Sequence, residues 1–314
     1  MVAFGVHFGL EGCSIGDLRA AWLRAEAIGY DWLSVWDHFH ATMGPDDTGV
    51  FEAIACHAAL AEATSRVRVG SLVYSAGYRH PAVLANAAAT IDHISGGRLE
   101  LGIGAGWLQA EYAAYGIPFE APGPRLRRLR EAVEIIRLLW TEDVVSFEGE
   151  FYSLAGARCY PKPVQAAPRI WVGAPGERTG IKIAAQVADG WNCTAVSPEI
   201  FARKRQILLD HAPEPERLLT SVTVGLVLSE GDPGRAMRER YGEFADLVGG
   251  VDATLVGSVP EVLDRCGRYV EAGADWIILR QLAPFDMESL ETFGAEVAPA
   301  LSGSPAVASA RSRN

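Results

Sequence analysis

The feature that most restricts this chain is an alternation of segment types. Eight short apolar segments recur along its 314 residues: AFGVHF at 3–8, WLSVW at 32–36, VRVGSLV at 67–73, LELGI at 99–103, IWVGA at 170–174, GWNC at 190–193, SVTVGLVL at 221–228 and DWIILR at 275–280. Seven of them are followed by a segment with helical periodicity. Leu18, Trp22, Ala25 and Ala27 give the helix predicted over 16–29 one buried face. An alanine-rich helix is predicted over 51–64, and another from Pro81 to near 95–97, with proline in its first turn. Over 125–140, Leu126, Leu129, Val133, Ile136 and Trp140 line one side, and arginines and glutamates cover the other. Further helices are predicted up to 187, over 198–211 and over 259–272. The strands are apolar on both faces, as parallel strands under covering helices are. Their order and number predict an α/β fold, a (β/α)8 TIM barrel with insertions. A doubly wound sheet would carry its glycine fingerprint after the first strand, with an acid about 20 residues on. Here GLEGCS follows the first strand, and the dense glycine run comes only after the fourth.

One domain is expected over 1–301, with insertions at 141–168 and 229–256 and a small, polar, flexible tail from 302 to 314. Within the first insertion VVSFEGEFYSL predicts a small hairpin. A formal net charge of −11 and the lack of a basic tail exclude a nucleic-acid partner. No apolar run is long enough to span a membrane, and the first residues lack a charged region before an apolar core, so no signal peptide is expected. Five scattered cysteines at 13, 56, 159, 193 and 266 fit free thiols in the cytoplasm better than a disulfide framework.

In a barrel, chemistry gathers where strands end and βα loops begin. Those ends offer His7; Trp36, Asp37, His38 and His40; Ser71, Tyr74, Ser75, Tyr78 and Arg79; the glycines at 102, 104 and 106 with Trp107 and Glu111; Gly173, Ala174 and Gly176; Asn192 and Thr194; and Arg280 and Gln281. His38 and His40 have the spacing of a strand-borne metal pair. The chain has seven histidines, and the ends of strands four to eight supply none, so no metal site is expected. His38 otherwise reads as a structural histidine beside Asp37, or as a proton-handling group near neutral pH. WVGAPGERTG places glycines between a strand and a helix start, whose free N–H groups suit a phosphate, although a plain turn would look the same. GIGAG lacks the lysine and serine of a P-loop. Its glycines clear room for a ring system or simply turn the chain, and Trp107 reads as a cofactor or substrate contact or as a core aromatic. No Gly-x-Ser-x-Gly elbow or Cys-x-x-Cys pair occurs, and Cys193 reads as a buried, inert thiol. The basic cluster at 125–130 is expected to face solvent or a partner subunit.

Taken together, WLSVWDHF, VRVGSLV, YRHPAVLANAAATIDHISGGRLELGIGAGW, EYAAYGIPF, RLRRLREAVEIIRLLWT, VSFEGEFY, PKPVQ, IWVGAPG and VADGWN resemble the bacterial luciferase-like flavin and deazaflavin oxidoreductases, and most of all their coenzyme F420-dependent branch. The resemblance covers about residues 3–282. It implies a barrel with an insertion, usually a homodimer, that binds reduced FMN or F420 at the C-terminal mouth. It implies a non-proline cis peptide at the end of strand three, here Ser71–Leu72. Ser71, Leu72, Gly104, Gly106, Trp107 and Asn192 then belong to the cofactor site. The phosphate site maps onto Gly173, Ala174 and Gly176, and the active-site histidine onto His38. Family dehydrogenases that act on sugar phosphates place a glutamate where this chain has Trp107, so their chemistry does not carry over directly. With F420, hydride passes between the deazaflavin and a small organic substrate. With reduced FMN the protein is a monooxygenase using oxygen, and Trp36, Tyr78 and Trp107 wall a dry substrate pocket. A flavin-binding barrel without turnover, or a partner subunit, is the third reading. The F420 tail would call for Arg79, Arg178 and Lys182. A dimer is expected, with Ala55, Ala58 and Ala59 offering a flat helix surface that would serve either a dimer contact or packing on the barrel, and a separate reductase is expected to supply reduced cofactor.

Overall fold

The computed structural model describes residues 2–45 and 47–302, so most of the tail expected from 302 lies outside the described residues. Strand β1 (Ala3–Phe8) pairs in parallel with β2 (Trp32–Val35), which pairs with β3 (Arg68–Ser71). A short β4 (Tyr74–Ser75) continues β3, and both pair with β5 (Leu99–Gly104). The small strands β6 (Val145–Glu148) and β7 (Ser153–Ala157) form an antiparallel hairpin in the first insertion. Beyond it, β8 (Arg169–Gly173), β9 (Gly190–Thr194) and β10 (Leu219–Leu228) continue the parallel order, and β12 (Trp276–Gln281) pairs with both β10 and β1. That last pairing closes the sheet, and the fold is an eight-stranded parallel barrel of the TIM type. Strand β11 (Thr254–Gly257), paired in parallel with the end of β10, closes the second insertion as an extra strand outside the barrel, where the sequence reading placed none.

The covering helices start and stop where local chemistry dictates. Helix α1 (Ile15–Ile28) begins at Ser14, whose hydroxyl accepts from the Asp17 amide while the Asp17 carboxylate accepts from the Ser14 amide. It is followed by α2 (Ala53–Ala63), α3 (Pro81–Ser95), the short α4 (Gln109–Ala114), α5 (Pro122–Thr141), α6 (Gly180–Val187), α7 (Pro198–His211), α8 (Pro233–Tyr241) and α9 (Val259–Glu271). Among the described residues no helix is long and apolar enough to cross a membrane. All five cysteines are free, and four are buried.

Bulky side chains fill the lower barrel. The Trp32 and Trp171 rings lie 4.9 Å apart and pack with Leu72 and Ile278. The buried Glu100 carboxylate accepts from the Trp171 indole (2.6 Å) and from Arg169 (3.1 Å). With its base plugged, the barrel has room for a ligand only toward the C-terminal strand ends.

Strand three is where the barrel departs from regularity, and this explains the glycine run. Gly70 pairs with Glu100, and Tyr74 with Ile103, so four steps along β3–β4 face three along β5. The surplus residue bulges inward. The non-proline cis peptide lies in this bulge, at Leu72–Val73 rather than at Ser71–Leu72. The Leu72 amide still donates to Val35 O (2.9 Å), so regular pairing persists one residue further than expected. A Cβ on Gly102 would lie 1.9 Å from Ser71 O, and one on Gly104 2.7 Å from Val73 Cγ2. These glycines make room for the protein's own bulge rather than directly for a ring. Gly106 turns the chain with φ +75°, beside the Tyr112 hydroxyl.

Candidate active site

The bulge, the β2–α2 loop and the start of α6 enclose a cavity of about 520 Å³ at the C-terminal mouth. That volume lies within the usual range for small-molecule and cofactor sites. His38, Trp36, Tyr78 and Trp107 line one side, Leu72 and Val73 a second, and Gly173, Ala174, Gly176 and Asn192 a third. Gly104 and Gly106 also line it. Ser71 does not belong to the lining: its hydroxyl points along the sheet, donating to Gly102 O (2.8 Å) and accepting from Gly102 N (3.1 Å). It anchors the bulge instead of touching a ligand.

His38 is held by Glu111, whose role the sequence does not reveal. Glu111, on α4, is fully buried. Its Oε1 accepts from the amides of Phe39 (2.6 Å) and His40 (2.9 Å), and its Oε2 from the Tyr78 hydroxyl (2.5 Å) and His38 Nδ1 (2.9 Å). Burial pushes the Glu111 carboxyl up, but the hydrogen bonds from His38, Tyr78 and His40 and the nearby His38 charge outweigh it and hold the pKa at about 2. Near neutral pH the carboxylate can only accept, so Nδ1 carries the proton and Nε2 is the ring nitrogen left for the cavity. The Trp36 and Trp107 rings stand edge-on to the imidazole at 5.7 and 5.6 Å. Burial and the bond to Glu111 push the Tyr78 hydroxyl pKa upward, so Tyr78 is a neutral donor. Trp107 itself is 57% exposed and forms the lip of the mouth, not part of the core.

A second carboxylate stabilises the loop geometry. Asp37 accepts from Ser75 N (2.9 Å) and from both terminal nitrogens of Arg79 (2.7 and 3.0 Å). Arg79 also pairs with Glu52. Arg79 is therefore committed to structure and is not available for an anionic tail, whereas Arg178 is exposed and Lys182 half-buried at the start of α6. Arg125 corrects the reading of the basic cluster: it lines the cavity, donates to Gly106 O and stacks over Phe119 at 4.0 Å. Its neighbours Arg127 and Arg128 pair with Glu150 and Glu120.

The far wall holds two more residues left out of the site, His7 and Arg280. Burial, then the Arg280 charge, then His38 bring the His7 pKa down to about 3, so His7 is neutral. His7, Glu111 and Arg280 were all legible as strand-end polar groups; what was missing was any signal of how deeply they are buried. Among the described residues no three His, Cys, Asp or Glu side chains are arranged to hold a metal. His38 Nδ1 is taken by Glu111.

The donor set fits a phosphate-bearing ring cofactor. The Thr179 side chain makes no cap hydrogen bond at the start of α6; Ile181 N donates to Gly176 O (3.0 Å), which leaves the Gly180 and Lys182 amides as the first-turn donors for a ligand, and a Cβ on Gly176 would meet nothing within 4 Å.

A barrel with its mouth built in this way defines a class, and the sequence agrees: residues 3–232 match the luciferase-like monooxygenase family model, and the chain belongs to that family. Among curated relatives, an F420-dependent glucose-6-phosphate dehydrogenase of Intrasporangium calvum is 30% identical over 314 residues, covering 90% of this chain and 93% of that protein. One of the same description from Amycolatopsis mediterranei is 36% identical over 196 residues; the match covers 62% of this chain and 58% of that protein. An F420-dependent secondary alcohol dehydrogenase, solved with an F420–acetone adduct, superposes with a TM-score of 0.83 at 21% identity, covering 98% of this chain and 99% of that one. That likeness concerns the fold.

Proposed function

We propose that this family member is an F420-dependent oxidoreductase that transfers a hydride between the deazaflavin and a small organic substrate. The observation that carries the proposal is the presence, in one cavity, of a histidine with a fixed tautomer and of an open, glycine-rich helix start. The F420-dependent relatives support the choice of cofactor. When bound, the deazaflavin supplies or accepts the hydride. The remaining work falls to the chain. The Gly180 and Lys182 amides at the start of α6 would hold the phosphate. Leu72 and Val73, which line the cavity at the strand-three bulge, would support the ring. His38 Nε2 accepts or returns the proton on the reacting oxygen of the substrate, while Glu111 stabilises the charged imidazolium. Trp36, Trp107 and Leu126 keep water out.

A specific observation keeps a second reading in play. The residue after Gly106 is an exposed tryptophan rather than an acid, which suits a reduced-FMN monooxygenase with an apolar lip. Titration of the purified protein with F420 and with FMN, oxidised and reduced, separates the two. F420 is expected to bind the more tightly. Binding of reduced FMN alone, with oxygen consumed in the presence of a substrate, would replace the F420 reading. We further propose a cytoplasmic homodimer supplied with reduced cofactor by a separate reductase.

A further inference from the structure

Arg280, the penultimate residue of β12, lines the cavity, yet it is only 9% exposed. Its Nη2 donates to Val248 O (3.0 Å) and its Nε has no partner. Among the described residues no carboxylate forms an ion pair with it. The arginines nearest the other walls are treated differently: Arg79 is paired with two carboxylates, and Arg125 is bonded to Gly106 O and stacked on Phe119. The titratable neighbours of Arg280 are His7, held neutral, and Tyr241, a buried phenol. A desolvated guanidinium facing a ligand cavity without a counter-charge is normally matched by an anion that enters with the ligand.

Position says which ligand. In the barrel order β12 stands three strands from β8, whose end begins the glycine-lined phosphate site. The cofactor phosphate and an anion on Arg280 therefore occupy different sides of the mouth. His38 lies on the wall between β1 and β3, and Trp36, Met43, Leu126 and Leu247 add apolar surface. Thr194 and Thr223 also line the cavity and offer hydroxyls.

We infer that Arg280, beside His7, is a subsite for an oxyanion of the substrate, so that the substrate is an organic acid with an apolar body and a carboxylate or phosphate head. The inference rests on the oxidoreductase reading and narrows its substrate class. A guanidinium binds such a head in bidentate fashion, which fixes the substrate relative to His38.

The test is calorimetric titration of the F420-loaded protein with benzoate, phenyl phosphate and, as the uncharged control, benzamide. F420 is titrated alone first. If it fails to bind, the cofactor reading falls, and the three probes are titrated into the cofactor-free protein, where Arg280 is judged separately by comparing wild type with variant. Wild type is expected to prefer one of the two anions to benzamide by at least tenfold. The preferred anion identifies the head as carboxylate or phosphate. Arg280→Gln is expected to lose that preference at an unchanged benzamide affinity. Should R280Q not fold, Arg280→Lys decides: lacking the planar fork, it is expected to bind the preferred anion several-fold more weakly. Equal affinity for benzoate, phenyl phosphate and benzamide, or a variant that binds the anion as wild type does, overturns the inference.

Discussion

Replacing Glu111 by glutamine keeps the shape of the side chain and changes one acceptor oxygen into a donor. Four donors converge on the carboxylate, from Phe39, His40, Tyr78 and His38. If the new NH2 group turned toward the two backbone amides, it would leave both of them unsatisfied. Turned the other way, it faces Tyr78, whose hydroxyl can rotate to accept, and His38, which must move its proton to Nε2. The second arrangement costs less and reverses the tautomer. The size of the effect follows from the pKa. A carboxyl held at about 2 against an ordinary 4.5 contributes about 3 kcal/mol at ~1.4 kcal/mol per unit. Loss of two charge-assisted hydrogen bonds, at ~1.5–3 kcal/mol each, gives a similar figure. Because the folded pKa is the lower one, this stability is fully present above about 4.5 and is lost as the pH falls through about 2. Urea denaturation of wild type and E111Q should therefore show a gap of about 3 kcal/mol at pH 7, shrinking to under half of that near pH 3. A gap below about 1 kcal/mol at pH 7, or one that stays constant down to pH 3, would refute the account of Glu111 as an ionised clamp.

Three further outcomes follow from the same geometry. His38→Ala should leave cofactor affinity within a few-fold of wild type and slow hydride transfer by about 10²–10⁴, read by the absorbance of the cofactor in single-turnover mixing; an unchanged rate would make His38 purely structural. Gly102→Ala drives a Cβ to 1.9 Å from Ser71 O, and the bulge can yield only by breaking its pairing, so a stability loss at or above the usual ~1–3 kcal/mol of overpacking is expected; a melting temperature within a degree or two of wild type would show that the bulge is loosely held. Light scattering should report a dimer; Ala55 on α2 and Val83 and Ile94 on α3 are exposed and free to take part, and a monomer at working concentration would refute the expectation.

Period and order were enough to determine the barrel. Strands apolar on both faces have to be covered on both sides, and helices of one-sided pattern between them leave a closed parallel sheet as the natural solution. The same logic placed His38 and the glycines of β8 at the mouth, because strand ends can be counted without knowing distances. Other features needed the third dimension. The bulge that relocates the cis bond to Leu72–Val73 depends on register between β3 and β5, which local propensity does not encode. Arg125 left the solvent-facing cluster because α5 begins at Pro122 and turns that side chain over Phe119. The partner of His38 stands seventy-three residues away in the chain, and a carboxylate in a sequence carries no mark of the donors that will surround it. Charge and hydrogen-bond capacity are properties of the residue; which charges are paired, which are neutralised by burial, and which, like Arg280, are left facing a cavity are set by packing alone.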